Sequence, residues 1–326
     1  MKNLLLSLLF FFSNCAVAFD YSKREDVKEF VKELAGAQSI DQKELLAIFA
    51  QAEYKQNIID AVSRPAERVL NWSQYQDIFL TKSRVTGGLK FLRENHEALE
   101  AAEEDYGVPP VIITAIIGVE TMYGRITGSY RVLDALATLS FDYPPRSKFF
   151  RSELKHFILL AKEEGQIITE LTGSYAGAMG LGQFIPSSYR AYAIDFDGDG
   201  FRDIWSNPTD AIGSVANYLA VHGWIRGGKI ALSVTEGSIP QEVFNVSLKP
   251  SISFEELSRL GLRENYLKTQ EMVSPMRLRG KSGDEFWLGL HNFYVITRYN
   301  HSKLYAMSVY QLSEDLREAA IEEALL

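Results

Sequence analysis

Residues 116–125, IIGVETMYGR, hold a single carboxylate, Glu120, in an almost wholly apolar stretch. Burying even an uncharged polar group without a partner costs about 2–7 kcal/mol, and a charge costs more, so a glutamate here needs a chemical reason. On a helix over residues 111–123, Glu120 falls in the last turns, with Ile116, Ile117 and Tyr123 three or four residues away and Gly124 as the C-cap candidate. Apolar surroundings and the negative end of the helix dipole both disfavour the charged form. A glutamic acid still protonated near neutral pH can donate a proton to a leaving group. The same residues also allow a glutamate that reaches solvent or pairs with Arg125 or Arg131.

Two other stretches carry chemistry. GSYAGAMGLGQFIPSSY, residues 173–189, is dense in Gly and Ala but contains Ser174, Gln183 and Tyr189. Small residues let the backbone approach a ligand closely, although a tight packing turn has the same composition. DFDGDGFRDIW, residues 195–205, spaces Asp195, Asp197 and Asp199 as positions one, three and five of an EF-hand loop, with Gly200 at six. Phe201 would offer a backbone carbonyl and Asp203 a ninth-position ligand, while Ser206 stands where the twelfth-position Glu is usual. An all-oxygen set of this kind suits a hard cation, calcium, in a structural role; an Asp/Gly-rich turn is the alternative. The five histidines show no zinc spacing.

The elements that must position these residues read as mostly helical. SIDQKELLAIFAQAEY starts at a cap, Ser39 or Asp41, and continues with Leu45, Leu46, Ile48 and Phe49 at helical spacing. The stretch from residue 86 to Gly107 reads as one long helix, and Pro109 and Pro110 can open the next, since proline fits a first turn. Residues 149–164 and 208–221 are further helices, and a last one starts near Leu304. Residues 230–284 differ: KIALSV and EVFNVSL are β-prone, followed by a helix in SFEELSRLG. DEFWLGLHNFYVITRYN alternates and is aromatic, which predicts extended structure. No internal repeat or low-complexity segment interrupts the chain.

At 326 residues the chain can bury a sizeable core in one large and one small domain. A net charge of −8 argues against nucleic acid as a partner, because phosphate binding needs a basic face. The first residues, MKNLLLSLLFFFSNCAVAFD, read as a secretory signal: a basic start, an apolar run over residues 4–12, and small Ala16 and Ala18 before cleavage. That run is shorter than the ~20 residues a bilayer span takes. Cleavage after Ala18 leaves a mature chain without cysteine; lipidation of Cys15, with Phe12 and Asn14 where a lipoprotein signal has Leu and a small residue, would instead anchor it to a membrane.

IIGVETMYGR, ALATLSFDYPPRSKFF, GSYAGAMGLGQFIPSSY, NPTDAIGSVANYLAVHGW and ITRYNHSKLYAM, in that order, resemble the lytic murein transglycosylase B family, glycoside hydrolase family 103. The resemblance runs from about residue 22 to 322. It implies a mainly α fold: a helical N-terminal domain over 19–105, a lysozyme-like core over 106–229, a small α+β insertion over 230–284 and a C-terminal part, 285–326, that completes the core. It further implies an enzyme that cleaves the β-1,4 bond between N-acetylmuramic acid and N-acetylglucosamine and leaves 1,6-anhydro-muramic ends. Glu120 would be the single acid/base.

Ser174, Gln183 and Met179 match groove residues, Tyr218 a tyrosine near the carboxylate, and Tyr299, Asn300 and Tyr305 C-terminal groove positions. Tyr75 resembles an N-terminal groove tyrosine. Arg146 resembles an arginine that meets the peptide stem, although the related pattern has two adjacent arginines and here Pro145 precedes it. The family's cation loop ends on a late aspartate, matched by Asp210 after one extra residue in WSNPTD. The expected partners are peptidoglycan glycan strands and cell-wall synthesis complexes, in the periplasm. Two rival readings are a catalytically silent peptidoglycan-binding protein and a hydrolytic muramidase, which would need a second carboxylate to place water.

Overall fold

The computed structural model describes residues 20–63, 70–235, 239–262 and 267–325. Residues 1–18, read as a secretory signal, and with them Cys15, lie outside the described residues. Contacts divide the chain at Tyr54/Lys55. The helical stretch 19–105, expected to form one domain, is thus split: only its first part stands as a unit of its own.

In that first unit a 3-10 turn, Tyr21–Lys23, precedes α1 (Glu25–Gln38) and α2 (Gln42–Phe49). Val27, Phe30, Val31 and Leu34 recur at helical spacing and are buried, and Phe30 meets Phe49 edge-on at 5.9 Å. Ser39 ends α1 in the left-handed region, and Asp41 is the cap of α2, its carboxylate accepting from the Lys43 N–H at 2.8 Å.

The second unit begins with α3 (Gln56–Ser63), α4 (Trp72–Phe79), α5 (Lys82–Glu94) and α6 (His96–Tyr106). The single long helix expected to reach Gly107 is broken at Asn95. The Asn95 side chain and its own backbone N–H both donate to the Phe91 carbonyl, at 2.9 and 3.1 Å, and close α5 there. Gly107 caps α6 in the left-handed region. Next comes α7 (Pro110–Thr121), entered through Pro109 and Pro110 as expected. A short antiparallel pair, β1 (Tyr130–Arg131) with β2 (Thr172–Gly173), brackets α8 (Val132–Phe141) and α9 (Ser147–Glu163). Then follow α10 (Pro186–Tyr192) and α11 (Pro208–Val221).

The remaining strands form one antiparallel sheet in the order β3-β6-β5-β4, with β3 Ala231–Val234, β4 Ile252–Ser253, β5 Met272–Gly280 and β6 Gly283–Gly289. It has its own core of Val234, Phe244, Phe254, Leu257, Val273, Phe286, Leu288 and Leu290, with α12 (Phe254–Arg259) against it. The insertion expected over 230–284 therefore runs on to the end of β6. EVFNVSL forms a 3-10 turn, Gln241–Val243, and a loop instead of a strand. DEFWLGLHNFYVITRYN is extended only through Gly289: from His291 it becomes α13 (His291–Tyr299). Its buried face there, Asn292, Phe293, Val295, Ile296 and Thr297, follows helical spacing, which the aromatic alternation masked. The chain closes with α14 (Lys303–Glu322), which packs on α7, α5 and α4.

Candidate active site

Every residue of α7 is buried except Glu120. A helix that is apolar all round belongs in a protein interior, so its single partly exposed acid marks the place where that interior opens. Of the two rival uses of Glu120, burial against solvent reach, the structure combines both: apolar, buried neighbours along α7 and a side chain that is partly exposed. Arg131, one proposed partner, forks onto the buried Asp134 at 2.9 and 2.6 Å. Gly124 was expected to cap the helix, but the cap is Met122, at φ 53°. Tyr123 (φ 63°) and Gly124 (φ 82°) continue in the left-handed region. Two non-glycine residues there cost about 1–3 kcal/mol each, strain of the kind that gathers at functional sites.

Tyrosines surround the glutamate. Tyr305, on α14, and Tyr299, at the end of α13, lie with parallel rings 6.4 Å apart. Burial first, and then the Glu120 charge, raises both phenols well above the usual tyrosine range. The Tyr299 hydroxyl donates to the Gly182 carbonyl at 2.6 Å. The buried Tyr305 hydroxyl has no partner of good hydrogen-bonding geometry, and the acceptor that acts on it is Glu120. Tyr218, on α11, meets Tyr299 edge-on at 4.8 Å and donates to the Arg298 carbonyl at 2.6 Å. Burial pushes its phenol up to about 12. Asn300 follows Tyr299 as the cap of α13. Two members of this aromatic group went unread in the sequence: His222 stacks on Tyr218 at 4.1 Å and Tyr192 meets it at 4.8 Å. His222 is four residues from Tyr218, the helical spacing that could have revealed it.

The glycine-rich stretch supplies the other wall. Ser174 Oγ accepts from the N–H groups of Ala176 (3.3 Å) and Ala178 (3.0 Å), so it holds the turn and keeps its proton to donate. Gln183 stands at φ 51°, and its amide nitrogen donates to the carbonyls of Thr127 and Gly180, both at 3.0 Å. Two carbonyl acceptors fix the amide's orientation and leave its oxygen as an acceptor. Gly182 has to be glycine, since a Cβ there would lie 2.8 Å from the Tyr299 hydroxyl.

Two expected groove residues stand otherwise. Met179 is fully buried, bridged to Gly173 and Phe184, and supports the wall from beneath without lining it. Tyr75 is also buried, on α4 against Phe79 at 5.3 Å, because it belongs to that helix's apolar stripe. Arg146 is exposed, over the rings of Phe149 (4.4 Å) and Phe150 (5.2 Å).

In the acidic loop, ligand atoms of Asp195, Asp197 and Asp210 all lie within 4.8 Å of one another. The late aspartate takes part despite the extra residue, because Asn207 and Pro208 start α11 and bring Asp210 into its first turn, fully buried. Burial, opposed by N–H bonds from Phe196 and Asp203, raises its pKa. Asp197 is held low, mainly by the Asn207 amide. Asp199 does not converge with the three; its oxygen takes the Phe201 N–H at 2.8 Å. Asp203 is likewise occupied, by the N–H groups of Trp205 and Ser206, both at 2.9 Å. The Phe201 side chain is exposed. Three carboxylates so close fit a hard cation, which would relieve both their repulsion and the burial of Asp210. The loop is tied to the glycine-rich wall: Leu181 N–H donates to Ile204 O at 2.9 Å, and Trp205 Nε1–H to Thr172 O at 3.2 Å.

Comparison with known proteins gives a consistent picture. A relative 41% identical over 313 residues, 93% of this chain and 86% of its own, is the membrane-bound lytic murein transglycosylase B of Escherichia coli (strain K12). The solved structure of catenated lytic transglycosylase SltB1 from Pseudomonas aeruginosa is 50% identical, with a TM-score of 0.88, over 92% of this chain and 99% of that one. The Escherichia coli lytic transglycosylase Slt35 in complex with calcium is 40% identical, with a TM-score of 0.85, over 93% and 96% of the two chains. The sequence itself matches the Transglycosylase SLT domain over residues 22–314, and the chain belongs to that family.

Proposed function

We propose that this protein is a peptidoglycan lytic transglycosylase in which Glu120 is the single acid and base. The observation that carries the assignment of Glu120 is its place: the lone accessible residue of a buried helix, acting on the phenols of Tyr299 and Tyr305. Kinship with transglycosylases of murein supports the reaction.

As the acid, Glu120 gives its proton to the glycosidic oxygen while the bond to the muramic anomeric carbon breaks. The muramic N-acetyl group stabilises the electron-poor carbon, in the manner of substrate-assisted glycosidases that do without a second carboxylate. The Glu120 carboxylate then takes the proton of the muramic 6-hydroxyl as its oxygen closes on the anomeric carbon. A 1,6-anhydro ring forms, and Glu120 is protonated again. Ser174 would donate to the sugar's N-acetyl group and the Gln183 oxygen would accept from a hydroxyl; Tyr218, Tyr299, Asn300 and Tyr305 line the site, and Arg146 meets the peptide stem. Asp195, Asp197 and Asp210 would hold a structural calcium ion. The chain would work in the periplasm after loss of residues 1–18, with glycan strands as its partner; no helix among the described residues is long and apolar enough to cross a membrane.

Digestion of purified sacculi tests the reaction. The products should end in anhydro-muramic acid, one water lighter than hydrolysed ends. Glu120→Gln should lose at least the 10²–10⁴-fold typical of general acid–base help, because one residue serves both steps, and should still bind sacculi. Reducing-end products from the wild type would point to a hydrolase instead, and an active Glu120→Gln would remove Glu120 from its role.

A further inference from the structure

The helix that carries Glu120 ends in a backbone reversal, and Tyr123 fastens that reversal to a neighbouring helix. The Tyr123 ring lies between α5 and α7 in a slot that three glycines leave open. A Cβ at Gly118 would come within 2.6 Å of the Tyr123 hydroxyl, one at Gly88 within 2.7 Å, and one at Gly87 within 2.9 Å of its ring. The ring also packs on Phe91 at 5.7 Å. Its hydroxyl donates to the Arg84 carbonyl at 2.8 Å, and the Arg84 guanidinium in turn donates to the carbonyl of Gly118, two residues before Glu120. The Gly118 carbonyl also accepts from the Met122 N–H at 3.1 Å, two residues after it. Arg84 itself is fixed by its own bond from Nε to the Ile78 carbonyl at 3.1 Å and by the Phe79 ring under its guanidinium at 4.9 Å. A closed circuit, Tyr123–Arg84–Gly118–Met122, thus encloses Glu120 on both sides along the chain.

Glu120 is carried on the last turn of α7, so its aim follows where that turn ends. Met122 and Tyr123 would both relax out of the left-handed region if nothing held them. From this circuit we infer that Tyr123 is a positioning residue for the reaction: it stores the reversal after Thr121 and so fixes the direction in which the Glu120 carboxyl points. The inference rests on the catalytic role proposed for Glu120. It assigns Tyr123 no contact with substrate, so its loss should act on turnover and leave binding intact.

The test uses the full mature chain with soluble glycan strands, measuring kcat, KM, melting temperature and the pH profile of kcat. Tyr123→Phe keeps the ring and breaks the circuit at the hydroxyl; it should lower kcat about 10-fold, of the order expected when a catalytic group is misplaced by a fraction of an ångström, with KM unchanged and an altered acid limb. Tyr123→Ala should be slower still, so that the phenyl ring of Tyr123→Phe restores part of the rate. Gly87→Ala, which presses on the ring without touching the hydroxyl bond, should reproduce the kcat loss. In a Glu120→Gln background, Tyr123→Phe should change the residual rate no further, since it acts through the missing carboxyl. Wild-type kcat and pH profile in Tyr123→Phe, while Glu120→Gln is dead, would overturn this inference and leave the role of Glu120 standing; so would a kcat loss of the same size in both backgrounds, or a change confined to melting temperature. An active Glu120→Gln would overturn both.

Discussion

Tyr299 and Tyr305 are chemically alike and six residues apart, yet the structure gives their hydroxyls opposite duties. Tyr299 satisfies a carbonyl at 2.6 Å, whereas Tyr305 completes no good hydrogen bond. Tyr299→Phe should therefore destabilise by about 1–3 kcal/mol, leaving the Gly182 carbonyl without its donor. Tyr305→Phe should change stability little, because that hydroxyl completes no well-formed bond, but should slow turnover, because the acceptor that acts on it is Glu120. Urea denaturation beside kcat measurements separates the two; equal stability losses would contradict this division. Glu120, Ser174 and Gln183 could be singled out in the sequence because their types stand out in apolar or small-residue surroundings, while the roles proposed for Ser174 and Gln183 came from the family resemblance. Tyr75 and Met179 were not, since the same residue can line a groove or fill a core, and only its direction on the helix or turn decides. The acidic cluster was half legible: the spacing names Asp195 and Asp197, but which later aspartate converges with them is decided by where α11 starts, which brings Asp210 in and leaves Asp199 and Asp203 out.

Among elements, α7 carries the residue proposed as acid and base. It is enclosed by α14, α5, α6 and α11, and its side chains Ile112, Ile113, Ile116 and Ile117 are fully buried. Ile113→Ala should cost about 2–5 kcal/mol, the range for truncating a buried aliphatic side chain, read as a shift in urea midpoint at constant slope. A loss under about 1 kcal/mol would mean that this site can collapse around the gap. The position of α7 was readable from its prolines and unbroken apolar run, and α11 from its own periodicity. The break at Asn95 and the switch from β6 to α13 were hidden for a shared reason. Local patterns there are continuous, and what divides them is a side-chain hydrogen bond in one case and packing from other elements in the other.

For the molecule as a whole, buried phenols set an alkaline limit. Tyr218, Tyr299 and Tyr305 hold their protons above the usual pKa of about 10, so the unfolded chain releases them first as pH rises. Stability should be intact below pH ~10 and then fall by up to about 1.4 kcal/mol per pH unit for each such group. Melting curves taken from pH 8 to 11 check this; a flat response above pH 10 would contradict it. Calcium should raise the melting temperature through the loop, by an amount equivalent to about 2.7 kcal/mol at a hundredfold excess over Kd, and Asp210→Asn should abolish the shift. An unchanged wild-type melting temperature would remove the cation from the account. The bond from Leu181 N–H to Ile204 O has a reciprocal side. It joins the cation loop to the backbone two residues before Gln183, so an ion that orders the loop would also order the sugar's wall. Thermodynamic linkage then runs in both directions: whatever factor calcium lends to glycan affinity, a bound glycan lends to calcium, and a strand in the groove would slow the ion's escape to a chelator.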